Sequence, residues 1–199
     1  MAQNLANLTE ALLAAARKAG ADSADSIAAS GRAVSIEVLN RSLEQAERAE
    51  AIDIGLRVII GQRQACVSSS DVNPATLTEM AERAVAMARE APEDNSVGLA
   101  QPDQLVRDWD IDALELFDPT PEPSPKQLEI DALEAEAAAL AVKGVTQVQA
   151  ASAGYSENQI HLAASNGFSG GYARTSRSIS CVAISGEGLQ MERDYYGDG

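Results

Sequence analysis

Two cysteines and one histidine are the residues in this chain best suited to metal or nucleophilic chemistry. His161 stands 20 residues before Cys181 and 95 after Cys66, and no HExxH, CxxC or Cys-His cluster links them. A catalytic zinc site takes at least three protein ligands, mostly nitrogen and sulfur, and this spacing offers no such set. Acid–base chemistry based on histidine has one candidate. That candidate alternates with Ile160 and Leu162 in Gln159-Ile160-His161-Leu162-Ala163, so it reads as a structural residue on the wet face of a strand. No Gly-x-Ser-x-Gly elbow marks a serine nucleophile. Cys66 and Cys181 lie among small and apolar strand residues with no adjoining basic group, which suits buried thiols rather than nucleophiles. Glu129, Glu134 and Glu136 read as the solvated face of a surface helix. No catalytic residue and no metal ligand is therefore assigned to this chain.

The elements around these residues are punctuated clearly. Leu5, Leu8, Leu12, Ala15, Ala16 and Ala19 recur at helical spacing, and Gly20 stands where a helix ends. Val34, Ile36 and Val38 alternate as in a strand; Asn40-Arg41-Ser42 is a turn. Leu43–Glu50, Gly55–Ile60 and Gln64–Ser70 follow as further strands. Asn73-Pro74 opens a second helix with apolar positions Leu77, Ala81, Ala84, Val85 and Ala88, ended by Pro92. Residues 92–123 hold five prolines and scattered large apolar groups, the pattern of an ordered, packed connection. Ser124-Pro125-Lys126-Gln127 reads as a capping box for a third helix, running to about Val142. Val145–Ala153, Gln159–Ser165, Gly170–Thr175 and Ser178–Ile184 then read as four strands. The order of one helix and four strands thus occurs twice. We expect an α+β fold with two helix-plus-antiparallel-meander units, about 1–91 and 124–190, joined by the acidic connection 92–123. In the turn Ser165–Gly171, Asn166-Gly167 calls for positive φ, and Phe168 is one of only two phenylalanines.

Composition narrows the function classes. The chain is 45% hydrophobic and 23% charged, values of a soluble globular protein. No apolar run reaches the roughly 20 residues of a membrane span. Met1-Ala2-Gln3-Asn4-Leu5 lacks a secretory pattern, and two unpaired cysteines suit a reducing cytoplasm. The formal charge is −15, concentrated between Glu90 and Glu136, where 14 acidic residues face two basic ones. Nucleic-acid binding draws on Lys and Arg, so this balance argues against a direct nucleic-acid partner.

Several segments, in order, resemble the N-terminal part of the PmbA/TldD family, in its PmbA (TldE) branch. They are Gly55-Leu56-Arg57-Val58 with Gly61-Gln62-Arg63; Ser69-Ser70-Asp71; Glu93-Asp94 with Gly98-Leu99-Ala100; Leu116-Phe117-Asp118-Pro119; Glu134-Ala135-Glu136; Ser165 to Gly170; and Met191-Glu192-Arg193-Asp194-Tyr195-Tyr196. The resemblance implies a cytoplasmic protein whose two branches pair as a heterodimeric zinc metalloprotease that processes peptides. It implies zinc in the HExxxH-bearing TldD-like catalytic subunit, no cofactor in this chain, and a C-terminal domain beyond Gly199. It also brings the older label of a modulator of DNA gyrase. The competing expectation is thus a non-proteolytic interaction module acting on gyrase or on a toxin–antitoxin pair. For partner or peptide contact the expected residues are Asn166, Gly167, Phe168, Arg193, Asp194 and Tyr195.

Overall fold

The structure is a computed structural model and describes residues 4–199. Met1, Ala2 and Gln3, on which part of the signal-peptide reading falls, lie outside the described residues. The element order is α1 Leu5–Ala19, β1 Ser23–Leu39, β2 Ser42–Ile60, β3 Arg63–Ser69, α2 Pro74–Glu90, α3 Pro125–Leu140, β4 Val145–Ala164, β5 Ser169–Ser185 and β6 Glu192–Asp198. The strands form one antiparallel six-stranded sheet in the order β3-β2-β1-β4-β5-β6, so the fold is α+β as expected. Six strands replace the eight short ones expected: three pairs of neighbouring segments fuse, Leu43–Glu50 with Gly55–Ile60 in β2, Val145–Ala153 with Gln159–Ser165 in β4 and Gly170–Thr175 with Ser178–Ile184 in β5, and β6 is a strand not expected from the sequence.

Local chemistry explains the element ends. Asn4 caps α1 by accepting from the backbone N–H of Ala6 at 3.0 Å and of Asn7 at 3.4 Å, and Gly20 ends it at φ +101°. At α2 the expected cap is displaced. Asn73 makes no side-chain cap bond; Asp71 instead accepts from Asn73 N–H at 3.1 Å, from Asn73 Nδ2 at 2.6 Å and from Thr76 Oγ1 at 2.6 Å. Of the expected capping box on α3 only one half forms. Ser124 Oγ accepts from Gln127 N–H at 3.2 Å, while the Gln127 side chain donates to Asp131 at 3.0 Å. The β1–β2 turn places both Asn40 (φ 53°) and Arg41 (φ 61°) in the left-handed region, the geometry of a type I′ hairpin.

The chain divides into two compact units interleaved in sequence. Of the described residues, the first holds 4–30, 51–116 and 158–173. Its core joins Leu5, Leu12 and Ala16 of α1 to Leu77, Ala81, Ala84 and Ala88 of α2 and to Ile54, Leu56 and Val58 of β2. The second holds residues 31–50, 117–157 and 174–199. Here Leu128 and Ala132 of α3 pack on Val34, Ile36 and Val38 of β1 and on Val148, Ala151 and Ala153 of β4.

Candidate functional site

His161 lies in the first unit, on the helix-covered side of β4 rather than on a wet face. Its neighbour Leu162 is the exposed one, at 39%, while Ala163 is buried. Alternation in the sequence pairs faces correctly but does not say which face a helix covers. His161 Nδ1 is 2.8 Å from Oγ1 of the fully buried Thr9 on α1. That hydroxyl already gives its single proton to Ala6 O at 2.9 Å, so the tautomer that satisfies both groups carries the proton on His161 Nδ1. Nε2 then accepts from Ser169 Oγ at 3.4 Å. Nδ1 thus ties β4 to α1, and Nε2 faces β5.

The thiols differ in setting. Cys66 is exposed on β3 directly opposite Arg57 of β2, not buried as its neighbours in sequence suggest. Cys181 is half-buried against the α3 core, and burial, with the Glu136 carboxylate adding to it, pushes its thiol pKa up. A raised pKa opposes thiolate chemistry. Glu136 itself is 2% exposed, contrary to the solvated-face reading. It turns inward because the β1–β2 turn has an amide to satisfy: Arg41 N–H donates to Glu136 Oε2 at 2.9 Å.

Of the six expected contact residues, three sit at the β4–β5 turn of the first unit. Gly167 supplies φ +95°, and Asn166 accepts from Phe168 N–H at 3.1 Å through its side chain. Asn166 Nδ2 also donates to Ala100 O at 2.9 Å, and the Phe168 ring meets Trp109 at 5.5 Å between centroids, tilted by 53°. These residues therefore hold the chain's own connection. Trp109 lies so close over Gly170 that a Cβ there would fall 2.1 Å from the indole, the close approach that requires glycine. The other three, Arg193, Asp194 and Tyr195, sit on β6 in the second unit; the fold thus places the six in two groups.

Two further features had no clear signal in the sequence. In the first unit Asp25, Ile27, Gly55, Arg57, Cys66 and Leu162 line a groove of about 480 Å³, with Arg57 Nε donating to Asp25 at 2.8 Å. In the second, Glu122 of the connection accepts from Arg48 at 2.6 Å and faces Arg32 at 3.4 Å, while Arg32 also pairs with Glu157 at 2.7 Å. The hydrogen bond to Glu157 raises the pKa of the Arg32 guanidinium. No group of three or more His, Cys, Asp or Glu side chains among the described residues could hold a metal ion. Zinc, which the resemblance implies for the enzyme as a whole, does not fit the donors present here. Among the described residues no helix is long and apolar enough to cross a membrane.

Comparison with known proteins gives the chain's relatives. Residues 24–88 match the model of PmbA/TldA metallopeptidase domain 1, and residues 116–199 match that of the PmbA/TldA metallopeptidase central domain. The chain is 29% identical over 142 residues to the metalloprotease PmbA of Escherichia coli, covering 71% of this chain and 31% of that one. It is 29% identical over 181 residues to the PmbA homolog of Haemophilus influenzae, covering 90% and 39%. In structure it is similar to a protein described as a modulator of DNA gyrase from Bacteroides thetaiotaomicron, with TM-score 0.87, 22% identity and coverage of 96% and 44%. TldE from Thermococcus kodakarensis is similar at TM-score 0.77 and 19% identity, with coverage of 96% and 42%. The chain thus spans well under half the length of these proteins.

Proposed function

The chain belongs to the PmbA/TldD metallopeptidase family, and on that premise we propose that it is the N-terminal part of a PmbA (TldE)-type, non-catalytic subunit of a heterodimeric zinc metalloprotease. In this reading it shapes the surface that holds a TldD-like catalytic subunit and the peptide being processed, in the cytoplasm, and zinc belongs to the partner. The observation that carries the proposal is the use of the histidine. His161 Nδ1 is engaged by Thr9 of α1 and Nε2 lies 3.4 Å from Ser169 Oγ of β5, contacts that support a structural role for the chain's one imidazole. The raised thiol pKa of Cys181 supports the same reading.

The test mixes the purified chain with a TldD-type subunit. Association by analytical ultracentrifugation together with altered cleavage of a fluorogenic peptide is the expected result; absence of both defeats the proposal. The name of the Bacteroides protein favours a second reading, an interaction module that modulates gyrase through protein contacts. A supercoiling assay that responds to this chain without any protease subunit would favour that reading over the first.

A further inference from the structure

Of the chain's seven asparagines only Asn166 precedes a glycine. An Asn-Gly pair has a reaction of its own. The glycine nitrogen, once it gives up its proton, attacks the asparagine Cγ. The bond from Cγ to the side-chain nitrogen breaks, ammonia leaves, and a cyclic imide closes. Water then opens the imide at either carbonyl and leaves aspartate or isoaspartate. Water is consumed and ammonia released, with no oxidation or reduction. Glycine permits the attack because no Cβ crowds its nitrogen or restricts its backbone.

The β4–β5 turn holds the pair out of that geometry. Residues 165–167 are a hairpin loop with Gly167 at the left-handed position, φ +95°. The Gly167 N–H, whose proton must leave, donates to Ala164 O at 3.0 Å. The side-chain amide is held at both ends: Asn166 Oδ1 accepts from Phe168 N–H at 3.1 Å, and Nδ2 donates to Ala100 O at 2.9 Å. Of these bonds only the last leaves the turn. It runs to the connection after α2, which also sets Trp109 against the Phe168 ring and over Gly170. Turning Cγ toward the Gly167 nitrogen breaks the bond to Ala100, so the reaction draws on molecules in which the connection has lifted.

The product does not restore what was broken. An aspartate side chain is ionised at neutral pH and has acceptors alone, so it faces Ala100 O with a charge where Asn166 offered an N–H. Isoaspartate runs the backbone through Cγ and lengthens the loop. Lifting thus favours the reaction, and the reaction favours lifting.

We propose that Asn166 is a modification site guarded by the connection. It converts to aspartate or isoaspartate when the connection lifts, and conversion keeps the connection from settling again. The inference goes beyond the reading of the chain as a protease subunit and stands whether or not that reading holds.

The 199-residue chain is incubated at mildly alkaline pH. Conversion is followed by mass spectrometry of the peptide containing Asn166 and by enzymatic methylation of isoaspartate. When lifting is fast, the rate follows the population of lifted molecules. Gly170→Ala, which undocks Trp109 at about 2 kcal/mol, is therefore expected to convert about thirtyfold faster than the parent chain. Trp109→Ala is expected to convert faster as well, and a synthetic peptide of residues 161–172 fastest of all. Asn166→Asp should red-shift Trp109 emission and strengthen its quenching by acrylamide, with circular dichroism showing each variant folded. A parent chain that converts as fast as the peptide, or variants at positions 170 and 109 that convert no faster than the parent, overturn the guarding role. Parent-like emission from Asn166→Asp overturns the claim that conversion keeps the connection lifted.

Discussion

Gly170→Ala should release the connection from the β4–β5 turn. The added Cβ would sit 2.1 Å from one indole carbon of Trp109 and 2.2 Å from a second, whereas carbon contacts settle at about 3.5–4.0 Å. The ring must therefore retreat by about 1.5 Å, and the retreat breaks its tilted contact with Phe168. Losing an aromatic pair removes about 0.5–1.5 kcal/mol. Indole surface returned to water adds to that, and we expect about 2 kcal/mol in all for undocking. Trp109 is 41% exposed in the docked state and is the chain's only tryptophan, so its emission reports this event alone. Expected are a red-shifted maximum and stronger acrylamide quenching, with the far-ultraviolet circular dichroism of both units unchanged. An emission maximum and quenching constant equal to those of the unaltered chain would refute the reasoning about Gly170.

Other predictions follow from the core, the helix cap and the thiols. Leu12→Ala, at a fully buried position of the first core, should cost about 2.7–5 kcal/mol in urea denaturation; a loss under about 1 kcal/mol would mean that α1 is not packed as described. Hydrogen bonding to Thr76, then to Asn73, lowers the Asp71 carboxyl below its ordinary value. Its contribution is thus present above the unfolded pKa of about 3.9 and is lost as pH falls through the lower folded value. The protection of amides at the start of α2, taken relative to their intrinsic exchange rates, should fall across that acid window in the parent chain and show no such change in Asp71→Ala. Exposed Cys66 should be alkylated ahead of Cys181, whose thiol pKa is raised; mass spectrometry of peptides after limited iodoacetamide treatment checks the order, and the reverse order would contradict the placement of both.

Where the determinants were local, the sequence was legible. The stripe Leu5, Leu12, Ala16 with Gly20 after it predicts α1 to its observed ends, and Asn166-Gly167 predicts its turn. Where a residue answers to a distant partner, it was not. Gly154 looks like punctuation between two short strands, yet it lies within β4, whose pairing with distant segments carries the strand straight through it. Glu136 looks solvated because the amide it serves belongs to Arg41, 95 positions away. Strand β6 carries no apolar alternation, and only its pairing with β5 reveals it. The same limit holds for the expected contact residues. Their types were readable, but the division into a turn that grips Trp109 and a strand paired with β5 required the fold.

The interleaving of the two units has a consequence for inheritance. The polypeptide passes from one to the other five times, after residues 30, 50, 116, 157 and 173, and four of those passages lie inside β1, β2, β4 and β5. A single crossover or a single proteolytic nick therefore cannot separate either unit intact from the other.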